Sequence, residues 1–354
     1  MAYINSIGTA QAPFSHSQKD IRDFMLEMYQ MPEEDREKVT RLYDRSEIET
    51  RYSAIEDFSL PKSKWSFIEK DKPVSVEKRM QKYFETAPVL CQKAVRRCLP
   101  EGAPDKITHL ITVSCTGVSA PGIDIQLMKS LALQTDIQRT SVNFMGCYAA
   151  IHALKQADAI CRSQADARVL IVDIELCTLH FQDTYTMDNV AASLLFGDGV
   201  AAVLVSNEPG LYSIENFYSE VAFSGYDDMA WNISSTGFLM TLSGYVPSVI
   251  AENIEPMLLN SLQNMGIDKS DIQHWAIHPG GKKIISEIQK ALSLSDLDVA
   301  VSRSILNDFG NMSSATILYV LKRMAGHINS PGENVYAVAF GPGLTIETMF
   351  LKSC

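Results

Sequence analysis

The sequence is short of the features that would place it in a membrane, on a nucleic acid or in an oxidising compartment. No stretch approaches the roughly eighteen uninterrupted apolar residues of a spanning helix, and residues 1–14 lack a basic region followed by an apolar run. The seven cysteines (91, 98, 115, 147, 161, 177 and 354) are odd in number and form no CxxC pair, and the seven histidines are not clustered. Neither a disulfide framework nor a metal site is supported. Positive charge is scarce: 31 Lys and Arg against 42 Asp and Glu leave a net charge of -11 without long like-charge runs. That balance argues against a nucleic-acid partner or an anionic membrane surface, and an anionic substrate would need a local basic patch. The setting expected from these absences is cytoplasmic.

What is present is core-forming. At 354 residues and 46% hydrophobic content the chain can bury a substantial core without covalent staples. Residues 18–100 read as mostly helical, with apolar residues such as Ile21, Phe24, Met25 and Met28 at helical spacing, broken near Pro61 and Pro73. Beyond that region strands alternate with helices. Ile107–Val113, Val169–Asp173, Val200–Val205, Trp275–His278 and Val335–Phe340 read as buried strands. Residues 122–133, 147–163, 247–265, 281–292 and 312–328 read as helices, and an α/β layered fold follows.

The chain also resembles itself. ITHLITVSCTG from Ile107 matches IQHWAIHPGGK from Ile272; MGCYAAIHAL around Gly146 matches FGNMSSATIL around Gly310; LFGDGVAAVLV around Phe196 matches AFGPGLTIETM around Phe340. The same order at a nearly constant offset implies two related halves, with about twenty extra residues in the first between 147 and 196. The division expected is 1–208, carrying the helical N-terminal region and Cys147, and 209–354, carrying His278 and Asn311.

Cys147 follows an apolar run and a glycine and opens a helical stretch. A thiol at a helix start meets unpaired N–H groups and the positive end of the helix dipole, which favour thiolate. Alone, it is equally a small buried apolar residue, as Cys91, Cys98 and Cys161 are read to be. The repeat gives it a counterpart, Asn311, at the matching helix start, and His278 ends the preceding strand of the second half. Those three side chains are the types needed for acyl-thioester chemistry: a nucleophilic sulfur, an imidazole that pairs with the thiolate, and N–H donors for an oxyanion.

The segments GCYAA at 146, LFGDGVAA at 195, IHPGGK at 277, GNMSSA at 310 and FGPGLTIETM at 340 resemble the motifs of the type III polyketide synthases, the chalcone and stilbene synthase family, over residues 18 to the C-terminus. The resemblance implies a thiolase fold, a five-layered αβαβα core of two pseudo-twofold related halves. It also implies a homodimer, an acyl-CoA starter and a malonyl-CoA extender, with no cofactor, metal or carrier protein. Cys147 then resembles the acyl-holding nucleophile, His278 and Asn311 the pair that binds thioester carbonyl and enolate, and Phe196 an aromatic gatekeeper. Lys38, Arg41 and Arg45 match positions that hold CoA phosphates. Gly280, Gly281 and Ser313 match contacts along the pantetheine tunnel, and Gly341, Pro342 and Gly343 a backbone wall of the pocket.

Departures from the plant pattern bear on the product. Met240 stands in place of a second gatekeeper aromatic, Cys115 and His180 in place of threonines, Trp231 in place of a glycine, and Ala120 in place of a methionine that crosses the dimer. These features resemble bacterial members and favour an aliphatic starter and an alkylpyrone- or resorcinol-type product. Two rival enzymes share Cys, His and Asn: a ketoacyl synthase III-like enzyme fed by an acyl carrier protein, and a papain-like hydrolase, which leaves the repeat unexplained. A non-catalytic binding module is the third alternative.

Overall fold

The computed structural model describes residues 1–69, 72–99, 104–227, 229–242 and 246–354. In the first half the elements are β1 (Tyr3–Gln11), β2 (Phe14–Ser17), α1 (Gln18–Met28), α2 (Glu33–Asp44), β3 (Thr50–Ser53), α3 (Val76–Cys98), β4 (His109–Ser114), α4 (Ile123–Ser130), β5 (Gln138–Asn143), α5 (Ala149–Ser163), β6 (Arg168–Leu176), α6 (Met187–Leu195) and β7 (Asp198–Ser206). The second half contributes β8 (Tyr212–Val221), β9 (Met229–Ser234), β10 (Gly237–Leu242), α7 (Val246–Met265), β11 (His274–Ile277), α8 (Lys282–Ala291), α9 (Asp296–Phe309), α10 (Ala315–Ala325), β12 (Asn334–Gly341) and β13 (Thr345–Ser353). Among the described residues no helix is long and apolar enough to cross a membrane.

Strand order accounts for the internal similarity. The first half runs β5-β4-β6-β7-β1 and the second β11-β12-β13-β8, and the two join through β1 and β8 into one nine-stranded mixed sheet. Within each run the pairings correspond: β4 with β6 and β11 with β12 are parallel, β6 with β7 and β12 with β13 antiparallel. The twenty extra residues of the first half are also accounted for. Between β6 and β7 the chain makes a short helical turn, Cys177–His180, and then α6, whereas β12 passes to β13 through residues 342–344 alone.

Side-chain alternation sorts the core into layers. On β6, Leu170, Val172, Ile174 and Leu176 face an outer cluster shared with α3, while Val169 and Ile171 face a central one. On β12, Tyr336, Val338 and Phe340 face the other outer cluster with α7 and α8, while Val335, Ala337 and Ala339 face the same centre. The centre is filled by α5 and α10, which pack on each other and on strands of both halves. A helix covered by strands of both halves must bury most of its surface, and Ala315 through Leu321 are all buried. α5 does the same with small residues, Ala149, Ala150, Ala153 and Ala157, around Ile151 and Leu154. These are the αβαβα layers of the thiolase fold.

The sequence reading places the central strands and helices within a few residues and misses others. β1 lies in the middle of the sheet, where a non-helical start with no assignment was expected; α6 and α9 were also unassigned, although Ser295 and Asp298 form a capping box ahead of α9.

Leu154 tests the sandwiching of α5. Leu154→Ala should cost about 3 kcal/mol, as for a leucine enclosed on all sides, measured by urea unfolding. A cost nearer 1 kcal/mol would mean that α5 is covered on one side only.

Candidate active site

Cys147 sits in the turn just ahead of α5, where Ala149 N donates to Gly146 O at 3.0 Å. Gly146 has φ 82°, and a Cβ there would lie 2.4 Å from Pro342 Cδ, so the turn admits only glycine. Asn311 follows Gly310, φ 69°, in the equivalent place before α10. Its backbone is pinned to the first half: Asn311 N donates to Leu195 O and Gly197 N donates to Asn311 O, both at 2.9 Å, which fixes Phe196 beside it. The carboxamide is held at both ends, Nδ2 donating to Gly280 O at 3.2 Å and Oδ1 accepting from Ser313 N at 2.9 Å. An amide has two N–H groups, so one remains for a ligand.

His278 follows the last residue of β11, its N donating to Val338 O at 2.8 Å. His278 is 1% exposed, and neither ring nitrogen has a hydrogen-bond partner among the described residues. Cys147, His278, Asn311 and Phe196, from four separate segments, line one cavity of about 670 Å³. Cys147 is half-buried.

The same cavity is lined by Lys38 and Arg41 on α2, by Arg45 at its C-cap, and by Gly280, Gly281 and Ser313. Cys115, His180, Trp231, Met240 and Pro342 line it too. Trp231 and Met240 are direct partners across the β9–β10 hairpin. The Trp231 and Phe238 rings pack edge-on against His180, at 4.6 and 4.9 Å between centroids. Gly341 and Gly343 do not line the cavity. Gly341 is buried under Tyr148, where a Cβ would lie 2.5 Å from the ring, and Gly343 takes φ 104° in the turn beyond Pro342. Ala120 lies on an exposed loop after β4.

Lys282 and Lys283, at the start of α8, were missed and line the cavity beside the basic cluster. The sequence signal was their position directly after His-Pro-Gly-Gly. Lys282 pairs with Glu47 at 2.9 Å and Arg41 with Glu37 at 2.6 Å. Asp173 and Glu175 were also missed, two acidic residues inside an otherwise apolar strand and both fully buried. Among the described residues no group of three or more His, Cys, Asp or Glu side chains is arranged to hold a metal ion.

Electrostatic surroundings act against the helix start at the sulfur. Burial pushes the Cys147 thiol up to about 12, with Glu175 and Asp173 adding to the rise and hydrogen bonds from Ser313 and Asn311 opposing it. Burial also pushes the His278 imidazole down to about 3. Desolvation therefore opposes the helix start, and both shifts run toward a neutral thiol and a neutral imidazole. His180 is likewise neutral, held down to about 3 by burial and by Arg79.

The sequence profile for chalcone and stilbene synthases, N-terminal domain, matches residues 1–209, and that for their C-terminal domain matches residues 220–354. The chain belongs to the chalcone and stilbene synthase family. It is a type III polyketide synthase, an acyltransferase of a family that works on CoA-linked substrates. It is similar to the alpha-pyrone synthesis polyketide synthase-like Pks18 of Mycobacterium tuberculosis, with 32% identity over 361 residues, 99% of this chain and 90% of that protein. Among solved structures it is similar to the C-terminal type III polyketide synthase domain of Steely1 from Dictyostelium, at 28% identity and a TM-score of 0.91 over 99% of both chains. PKS-I of the brown alga Ectocarpus siliculosus is 25% identical with a TM-score of 0.90, covering 100% of this chain and 98% of that one.

The thiol's protonation is measurable in this synthase without substrate. Iodoacetamide at neutral pH should modify exposed Cys354 first and Cys147 slowly, and the Cys147 rate should climb steeply with pH toward about 12, because only the thiolate reacts. Peptide mass mapping over a pH series reads both. Fast, pH-independent modification of Cys147 near neutrality would instead establish a thiolate–imidazolium pair.

Proposed function

We propose that this synthase loads an acyl-CoA starter onto Cys147 and extends it by repeated decarboxylative condensation with malonyl-CoA, releasing a cyclised alkylpyrone- or resorcinol-type product. The carrying observation is the convergence of Cys147, His278 and Asn311 on one cavity with exposed basic residues along its wall. The halves that supply them are taken as 1–208 and 209–354, a division supported by their matching strand orders.

Charge placement supports the sequence of steps. Lys38, Arg41 and Arg45 are exposed and suit the CoA phosphates, with Gly280, Gly281 and Ser313 along the path of the pantetheine arm. Inside, the donors are neutral. When malonyl loses CO₂, the C–C bonding pair moves into an enolate whose oxygen meets an N–H of His278 and the free N–H of Asn311. Preorganised neutral donors in a dry site lower the cost of that oxygen without trapping the leaving carboxylate as an ion pair. Phe196 adds an apolar face that favours departure as neutral CO₂. The enolate carbon then attacks the acyl thioester, and the C–S bonding pair returns to sulfur.

An aliphatic starter is supported by Met240, whose flexible side chain adapts to a chain, and by the name of the Mycobacterium relative, which refers to alpha-pyrone synthesis. The basic cluster suits CoA rather than a carrier protein. A homodimer is supported by β5, an edge strand whose side chains are largely exposed, beside exposed Val118, Ile125 and Phe144. CoA thioester substrates fit a cytoplasmic setting.

Malonyl-CoA supplied with a panel of acyl-CoAs should give pyrones or resorcinols by mass spectrometry without carrier protein. Cys147→Ala should abolish condensation while CoA binding persists; unchanged turnover would remove the nucleophile assignment, and product only with carrier protein would favour the ketoacyl synthase III-like reading. Separately, Lys38→Ala and Arg45→Ala should each raise KM for malonyl-CoA several-fold with a smaller change in kcat, an effect that shrinks as salt is added.

A further inference from the structure

Three side chains that line the reaction cavity carry buried polar atoms without a hydrogen-bond partner among the described residues. They are His278 with both ring nitrogens, His180 with Nδ1 and Trp231 with Nε1. Leaving a buried donor or acceptor unpaired costs the desolvation of that group, so such atoms in a cavity wall mark where a ligand would complete the bonding. For His278 that ligand is the reacting oxygen. His180 and Trp231 carry the same signature with no partner yet assigned.

Hydrogen-bond accounting fixes the tautomer of His180. Its Nε2 lies 2.9 Å from Thr116 Oγ1. Thr116 is 0% exposed, and this is the one hydrogen bond its hydroxyl makes among the described residues. A hydroxyl that accepted from Nε2–H would bury its own proton without an acceptor. Thr116 therefore donates, and the neutral imidazole carries its proton on Nδ1. Trp231 Nε1 is a donor only. The two rings are 4.6 Å apart between centroids at 79°, and two N–H donors cannot satisfy each other. Gln182 Nε2 donates to His180 O at 3.2 Å and to Phe238 O at 3.5 Å, tying the turn that carries His180 to the hairpin that carries Trp231. The wall offers two fixed N–H groups and no charge.

We propose that His180 Nδ1–H and Trp231 Nε1–H form a second carbonyl-binding site, apart from His278 and Asn311, that takes a keto oxygen of the extended chain while its thioester end is on Cys147. The proposal rests on the reading of this cavity as the site of iterative extension. Each condensation adds a keto group, whereas an aliphatic starter has none beyond its thioester. The two donors therefore gain nothing from the starter and bond only a chain that has been extended, which makes them specificity-determining residues for a β-polyketone. A chain held by a keto oxygen is not free to fold back on its own thioester. The pair thus favours further extension over early release as the shortest lactone.

Products formed from aliphatic acyl-CoAs and malonyl-CoA are resolved by chain length in the mass spectrometer for wild type, Trp231→Phe, His180→Leu and His180→Gln. Trp231→Phe keeps an aromatic ring and the Thr116 contact to His180 but removes one N–H; His180→Leu removes the other, and His180→Gln supplies an amide N–H in its place. The ratio of longer products to the shortest should fall about fivefold in Trp231→Phe and His180→Leu, the net worth of one neutral hydrogen bond. It should recover in His180→Gln, with the acyl adduct on Cys147 forming as in wild type. A packing role moves the Leu and Gln variants alike; that result, or a ratio unchanged or raised in Trp231→Phe, overturns the proposal. Trp231→Phe decides alone if the His180 variants do not fold. Nitrogen-15 spectra of histidine-labelled wild type should also show His180, identified by the signals missing from His180→Gln, neutral near pH 7 with its proton on Nδ1, and a proton on Nε2 removes the donor. Failure of wild type to form any acyl adduct on Cys147 would remove the synthase reading and leave the tautomer standing, so the two failures are distinguishable.

Discussion

The packing of α5 and α10 between the strands of both halves is the constraint from which the site follows. Both helices bury much of their surface there, α10 from Ala315 to Leu321 and α5 through Ala149, Ala150, Ile151, Ala153, Leu154 and Ala157. Their first turns are therefore buried, and the residues just ahead of them, Cys147 and Asn311, are brought into one enclosed space. Backbone groups at buried helix starts need partners or a ligand. Part of that requirement is met across the halves, where Asn311 exchanges hydrogen bonds with Leu195 and Gly197. Gly146 and Gly310 make the geometry possible, since both take a positive φ that a side chain would resist.

Enclosure then decides which charges the site can hold. Deep in the cavity it raises the thiol of Cys147 and depresses the imidazoles of His278 and His180. Fixed charge stays at the exposed residues, Lys38, Arg41, Arg45, Lys282 and Lys283. A substrate with a polyanionic handle and a thioester that reacts through a transient oxyanion fits that division: the handle meets cations in water, and the oxyanion meets neutral donors in a dry pocket. His180 and Trp231 line the cavity with their rings edge-on, and His180, held neutral by burial and by Arg79, brings no charge to that wall.

Much of this arrangement was legible in the sequence because it is repeated there. Duplication turned a lone cysteine and an asparagine after glycine into a matched pair, and alternation of apolar strands with helices placed both. β1 escaped because Ser6, Gly8 and Thr9 interrupt its apolar residues; it is buried by its neighbours β7 and β8 and by α3, which are distant in sequence. The protonation of Cys147 escaped for the same reason. A helix start is visible locally, whereas the desolvation that opposes it is set by tertiary packing. Gly341 was placed on the pocket wall by resemblance to the family, whereas it lies under Tyr148 and its neighbour Pro342 lines the cavity.

Duplication gives a symmetric scaffold, but the chemistry needs the halves to differ, and the difference lies where they face the centre. On β6 the central row runs Val169, Ile171, Asp173, Glu175; on β12 it runs Val335, Ala337, Ala339, Gly341. Across the layer the asymmetry is complementary. α10 is preceded by Ser313 and Ser314, which meet the two acids, whereas the corresponding places at the start of α5 are Ala149 and Ala150, which lie in the apolar centre. An acid pair facing alanines would be two desolvated groups without donors, and serines facing Ala337 and Ala339 would lose theirs. Each substitution is costly alone and tolerable only with its partner. The polar connection therefore forms on one diagonal of the scaffold, from β6 to α10.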